Sequence, residues 1–201
     1  GFGRRRDVDF VFQAVAIAAQ ASGRPVQMIW TREQDLRHDF YRPAATAQLR
    51  AGIDGQGKLL SLDLKVASEW AGPARLGRTD PGKSAPPDAP AVGGLAYTIP
   101  HQRYRHVQVN AAIPIGSWRS VEASYDGFFV ESFIDEMAAA TRRDPVALRL
   151  ELLADKPRHS GVLRLAAEKA GWGKPLPPGA AGTRRGRGVA LLVEDFEALY
   201  R

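Results

Sequence analysis

The chain has 201 residues, of which 44% are hydrophobic and 25% charged, and it contains no cysteine. Such a chain is globular, with length for one ordinary core or a core plus an appended piece; a disulfide framework, cysteine-ligated zinc and iron–sulfur ligation by this chain are excluded. A formal charge of +6 keeps nucleic acid or another polyanion in view, although acidic residues separate the short arginine groups, and no apolar run reaches the roughly 20 residues that span a bilayer.

The first stretch, Gly1-Phe2-Gly3-Arg4-Arg5-Arg6, is a glycine-bearing turn running into an apolar segment from Val8 to Ala21. Glycines let backbone approach a ligand, the first amides of a helix lack intrahelical acceptors, and the helix dipole favours an anion there. The plainer reading is an ordinary solvated turn. The arginines, apolar run and Ala19-Gln20-Ala21 imitate a secretory signal, but Asp7, Asp9 and Gln13 interrupt its apolar core. The chain begins without Met, and the expectation is a piece of something longer.

Val8, Val11, Phe12, Val15 and Ala18 or Ala19 have helical spacing, with Gly23 and Pro25 as stop signals. Pro25 to Trp30 reads as a short buried strand, and Thr31-Arg32-Glu33-Gln34 as a capping box. Ala44 to Ile53 reads as a strand with Thr46, Gln48 and Arg50 on one face. Asp54-Gly55-Gln56-Gly57 then turns the chain into Lys58 to Trp70, where Leu60, Leu62, Leu64 and Val66 alternate with polar residues, as in a hairpin with one buried face. His38 has no second metal ligand at a useful spacing.

Residues 72–94 are rich in glycine and proline and predict a long surface loop. Tyr104 to Ile113 reads as a strand, in which His101, Arg103, Tyr104, Arg105 and His106 interleave charge with aromatics; a half-exposed strand explains that mixture as well as a single-strand nucleic-acid surface does. Pro114 to Ser120 forms a second loop, leading into a helix from Ser124 to Thr141. Val130, Phe133, Ile134, Met137 and Ala138 predict its buried stripe, and Glu131, Asp135 and Glu136 its solvated face. Asp144-Pro145 caps a helix to Ala154, Ser160 caps another ending at Gly171, residues 173–188 read as a linker, and Val189 to Val193 as an apolar strand. The fold class expected is α+β, a mixed sheet with packed helices. Residues 1–172 form part of one domain, and residues 189–201 begin the next or end the chain.

With both loops in hand, the chain resembles the large, molybdopterin-binding subunit of the xanthine dehydrogenase and aldehyde oxidase family, nearest to the isoquinoline 1-oxidoreductase beta-subunit branch. The resemblance rests on Gly1-Phe2-Gly3-Arg4-Arg5, on Gly23-Arg24-Pro25-Val26 with Trp30-Thr31-Arg32-Glu33, and on Arg37 to Pro43. It continues through Gly116-Ser117-Trp118-Arg119-Ser120-Val121 and Phe128 to Glu136, and it fades after Leu153.

The resemblance implies a molybdenum hydroxylase that places water-derived oxygen on an N-heteroaromatic ring or an aldehyde carbon. It implies molybdopterin cytosine dinucleotide as cofactor, a small [2Fe-2S] subunit and the rest of the large subunit as partners, no membrane span, and nucleic acid as a disfavoured partner. Phe2, Gly3 and Arg4 match the cofactor loop, Arg119 the substrate-side arginine, and Trp118 its aromatic neighbour, which the resemblance places with the first three among the cofactor-binding residues; no metal ligand is assigned. The arginines of the first loop replace the glycine, lysine and glutamate of xanthine-type enzymes, Ser120 replaces a glycine, and the family's general-base glutamate has no counterpart, so the isolated chain is expected to be inactive. Relatives of the branch that look exported lean the compartment toward the bacterial periplasm. The alternative is a basic module for nucleic acid or another polyanion.

Overall fold

The structure, a computed structural model, describes residues 8–69, 95–109, 112–116, 120 and 122–193. Its elements are α1 (Asp9–Gln20), α2 (Arg32–His38), β1 (Ala45–Ile53), β2 (Leu59–Ser68), β3 (His101–Gln108), α3 (Ala123–Ala140), α4 (Pro145–Leu152) and α5 (Pro157–Lys169), with the sheet ordered β1-β2-β3. Along β2 and β3 the paired residues advance together: Asp63 meets Arg103 and Arg105, and the Ser68 carbonyl accepts from Val109 N–H. Those strands are therefore parallel, while β1 and β2 form the hairpin, giving the mixed sheet of the expected α+β class.

The chain divides into two units. The first comprises Gly1–Thr46, Ala67–Pro87 and His106–Val121, and the second Ala47–Val66, Asp88–Arg105 and Glu122–Arg201. In the first unit α1 has the predicted span to within a residue, and the Thr31 capping box forms as read, Thr31 Oγ1 accepting from Gln34 N–H and Gln34 Oε1 from Thr31 N–H. Residues 25–30 are not a strand. Ile29 is 75% exposed, and an extended segment becomes a strand only where its peptide groups meet a partner backbone.

In the second unit the hairpin turn is built locally. The Asp54 carboxylate accepts from the N–H groups of Gln56 and Lys58 at 2.9 Å each, and Gly57 supplies φ +80°. Thr46, Gln48 and Arg50 are exposed as expected. On β2, Leu62, Leu64 and Val66 are buried as read, but Leu59 takes the place expected of Leu60. Beside that slip Ser61 Oγ accepts from Gly52 N–H at 3.1 Å, and a Cβ at residue 52 would lie 2.6 Å from it.

Several boundaries move. The third strand begins at His101 and ends at Gln108, earlier than read at both ends. The α5 helix starts at Pro157, not at Ser160: proline at the first helical position supplies the start, and Ser160 Oγ donates to the Pro157 carbonyl inside the first turn. Residues 189–193 are not a strand, because the Leu191 N–H goes to the Glu131 carboxylate at 2.8 Å. The expected loop over residues 72–94 lies outside the described residues.

Glu131, read as a solvated charge, is 6% exposed. Its Oε1 accepts from Tyr97 Oη at 2.7 Å, and its Oε2 from Arg149 Nε at 2.9 Å and from Leu191 N–H. Arg149, fully buried, also donates to the Glu131 carbonyl, to Asp135 Oδ1 at 2.6 Å and to the Pro145 carbonyl. Burial and the neighbouring carboxylate push the Tyr97 hydroxyl well above the ordinary tyrosine range, so it stays a donor. Removing one partner of a buried pair leaves the other charge uncompensated, so Arg149→Ala is expected to destabilise the second unit by about 3–5 kcal/mol, read by urea melts.

A second buried carboxyl behaves differently. Asp126 accepts from Tyr104 Oη at 3.1 Å, and its pKa is pushed up to about 6 by burial, with the hydroxyl opposing and Glu122 adding to the rise. A carboxyl with a raised native pKa stabilises fully below its unfolded value near 3.8 and loses that contribution as pH rises through about 6. Asp126→Asn should therefore be more stable than the parent at pH 7 by on the order of 2 kcal/mol, with the difference gone near pH 4; equal pH profiles by thermal denaturation would refute it.

Candidate cofactor site

The described residues reach the candidate loops from their flanks. Phe2, Gly3 and Arg4 of the first loop, and Trp118 and Arg119 of the second, lie outside the described residues. Downstream of the first loop, α1 begins at Asp9 without a side-chain cap, since Val8 contributes only its carbonyl, which accepts from Val11 and Phe12. The Val8 side chain offers no cap to the first amides, and Asp9 places a carboxylate in that turn.

The stem of the second loop is fixed by backbone. Tyr41 N–H donates to the Pro114 carbonyl at 2.8 Å and Gly116 N–H to the Tyr41 carbonyl at 2.9 Å, forming a parallel bridge between Tyr41 and Ile115. Ile115 is buried, so the chain is anchored up to the residue before Ser117. In the sequence Tyr41 reads only as part of the Phe40 to Pro43 break after the helical turn begun at Thr31 and of the Arg37 to Pro43 block of the resemblance; its partner stands more than 70 residues away, beyond the reach of local patterning. On the far side of the loop Ser120 has φ +71°, in the left-handed region. This is the position where the resemblance expects glycine, and the backbone supplies the reason.

The other candidates resolve into structural roles. His38 Nδ1 lies 2.8 Å from the Gln34 carbonyl and its ring meets Trp30 edge-on, while Trp30 Nε1 donates to Gln13. Arg103 and Arg105 both bind the Asp63 carboxylate, at 2.6 and 2.9 Å, and hold its pKa below the ordinary range, so half of the basic–aromatic strand is internally neutralised. His106 Nε2 lies 2.7 Å from Ser68 Oγ. Among the described residues no helix is long and apolar enough to cross a membrane, and no three His, Asp or Glu side chains gather as a metal site.

A left-handed backbone costs an L-residue roughly 1–2 kcal/mol, against the extra unfolded-state entropy of glycine. Ser120→Gly is thus expected to leave stability unchanged or raise it by up to about 1 kcal/mol, whereas Ser120→Val should lower it; thermal melts of the two variants check the order.

The family model for the molybdopterin cofactor-binding domain matches residues 1–153, a span that contains both loops, the Tyr41–Ile115 bridge and α3. The chain is 29% identical over 89% of its length to a membrane-bound aldehyde dehydrogenase [pyrroloquinoline-quinone] of Gluconacetobacter polyoxogenes, and 31% identical over 86% to isoquinoline 1-oxidoreductase subunit beta of Brevundimonas diminuta. It spans 26% and 22% of those two proteins. Its fold is similar to the crystal structure of quinoline 2-oxidoreductase from Pseudomonas putida 86, with a TM-score of 0.63 at 19% identity, covering 85% of this chain and 24% of that one. The chain belongs to the molybdopterin cofactor-binding domain family, within the xanthine dehydrogenase group that its two loops resemble.

Proposed function

We propose that this chain is the part of a molybdenum hydroxylase large subunit that contributes two loops to the molybdopterin site, acting on N-heteroaromatic or aldehyde substrates. The carrying observation is the family match over residues 1–153, which embraces the glycine-bearing loop before α1 and the loop stemmed on Tyr41. The uncapped start of α1, the backbone-fixed stem and the left-handed Ser120 fit loops that present peptide groups and an arginine to an anionic group. The relative from Gluconacetobacter is named for pyrroloquinoline quinone; the matched family favours molybdopterin for this chain.

When bound, the cofactor supplies the molybdenum centre at which a carbon is hydroxylated with oxygen from water. Phe2 and Gly3 would hold it by backbone amides, with Arg4 as added positive charge. Trp118 would add an aromatic contact on the cofactor side beside Arg119, and Arg119 would orient a ring heteroatom or stabilise negative charge as the carbon is attacked. The cytosine dinucleotide form of the cofactor, a [2Fe-2S] subunit carrying electrons away and the remainder of the large subunit complete the reading. In the same reading, residues 173–188 link this domain to a further one, and the isolated chain is inactive.

Arg119→Ala in the full-length, partner-bound protein should lower turnover by roughly 100-fold, the scale of losing one preorganised donor, with molybdenum content per protein unchanged. Unchanged turnover per bound molybdenum would remove Arg119 from the reaction and leave it as a surface charge.

A further inference from the structure

The net charge of the chain resides in one stretch. Lys156 to Gly188 holds eight of the 28 Lys and Arg residues and one of the 22 Asp and Glu residues, a local charge of +7, while the other 168 residues are nearly neutral. That stretch is α5 and the segment after it, carried by the second unit through the packing of α5 on α4 and the Trp172 Nε1 bond to Asp144 at 2.8 Å. We propose that the outer face of α5, with the arginine-rich segment that follows, is a docking surface for an anionic phospholipid bilayer.

Three observations carry this. First, α5 buries Leu163 and turns a mixed stripe outward: Arg158, Val162, Leu165 and Lys169 recur at helical spacing on the opposite side, with Val162 58% and Leu165 56% exposed. Two aliphatic side chains between two cations is the pattern of a helix lying in the headgroup layer, the apolar groups entering and the cations meeting lipid phosphates. Second, the positive charge is not internally neutralised. Among the described residues Arg158, Arg164, Lys169, Arg184 and Arg185 have no carboxylate within ion-pair distance, in contrast to Arg103 and Arg105 on Asp63. Third, Lys174, Arg184 and Arg185 are exposed on a glycine- and proline-rich segment without regular structure, which accommodates laterally mobile headgroups better than the fixed carboxylates of a protein partner.

Nucleic acid is the competing polyanion. A single-strand platform needs exposed aromatics for stacking, but Trp172 is the one aromatic residue in this stretch and its indole N–H is committed to Asp144. Nor does a phosphodiester backbone use Val162 and Leu165.

The test is co-sedimentation of the protein with phosphatidylcholine vesicles and with vesicles containing about 30% phosphatidylglycerol, at low salt and at about 0.5 M salt. Binding is expected on the anionic vesicles only, and lost at high salt. Arg158→Glu with Lys169→Glu should weaken it by about tenfold or more, and Val162→Ser with Leu165→Ser severalfold at unchanged net charge. Arg184→Glu with Arg185→Glu, in a segment that packs no core, should weaken it as well, which guards against misfolding of the helix variants. Equal binding to both vesicle types, or anionic binding untouched by the charge reversals, overturns the proposal. Vesicle binding indifferent to the serine variants, with a DNA oligonucleotide bound as tightly, assigns the surface to nucleic acid instead.

Discussion

The second unit depends on the pairing of Glu131 with Arg149. Both charges are withdrawn from water, and isolated ions in such a place would be costly; what makes the pair tenable is that its polar atoms are used. Glu131 accepts from a tyrosine, an arginine and a backbone amide, and Arg149 reaches one more carboxylate and two carbonyls. Through these bonds the segment before β3, the helices α3 and α4 and the segment after α5 share one polar centre. Leu148, Leu152, Leu153 and Ile134 are buried with it and supply the apolar side of the same core. A hydrophobic pair of equal volume would pack there too, but it would not hold the Leu191 amide or the Tyr97 hydroxyl, so the directional bonds decide which segments meet.

The first unit is held differently. Within it α1 has no buried residue, and Phe12 and Val15 are 69% and 60% exposed. Among the described residues its fixed points are polar: the capping box at Thr31, the Trp30–Gln13 bond and the two backbone bonds of Tyr41. A helix apolar on several sides belongs in a core larger than these residues build, in keeping with a chain that spans about a quarter of its relatives' length. What this unit brings to the cofactor reading is an anchored stem and a helix start, both set by backbone geometry.

How much of this was legible from sequence follows the range of each interaction. The Asp54 turn, the Thr31 box and the Asp144-Pro145 start are contained within a few residues, and each formed as read. The same proline rule, applied to Pro157, would have placed the start of α5 correctly. Strands were harder, because residues 25–30 and 189–193 have the composition but not the partner, and pairing is decided far away in the chain. Glu131 was misread for a related reason: helical spacing alone put it beside Asp135 and Glu136, and only the distant Arg149, Tyr97 and Leu191 make its burial stable. Of the site itself, Phe2, Gly3, Arg4, Trp118 and Arg119 lie outside the described residues, whereas the Tyr41 bridge and the left-handed Ser120 required three dimensions.

Charge shows most clearly why composition misleads about function. An overall excess of +6 invites a nucleic-acid reading, and the His101 to His106 strand seemed its natural seat. The structure gives both of that strand's arginines to Asp63, where a shared carboxylate cancels part of their field. The excess lies instead on α5 and the segment behind it, beyond the residues matched to the cofactor-binding family. In the proposed readings a polyanion and the cofactor address different stretches of sequence, the one α5 and the segment after it, the other the stretches before α1 and after Gly116. The same net charge that seemed to set two functions against each other is compatible with both once it is resolved into where the carboxylates are.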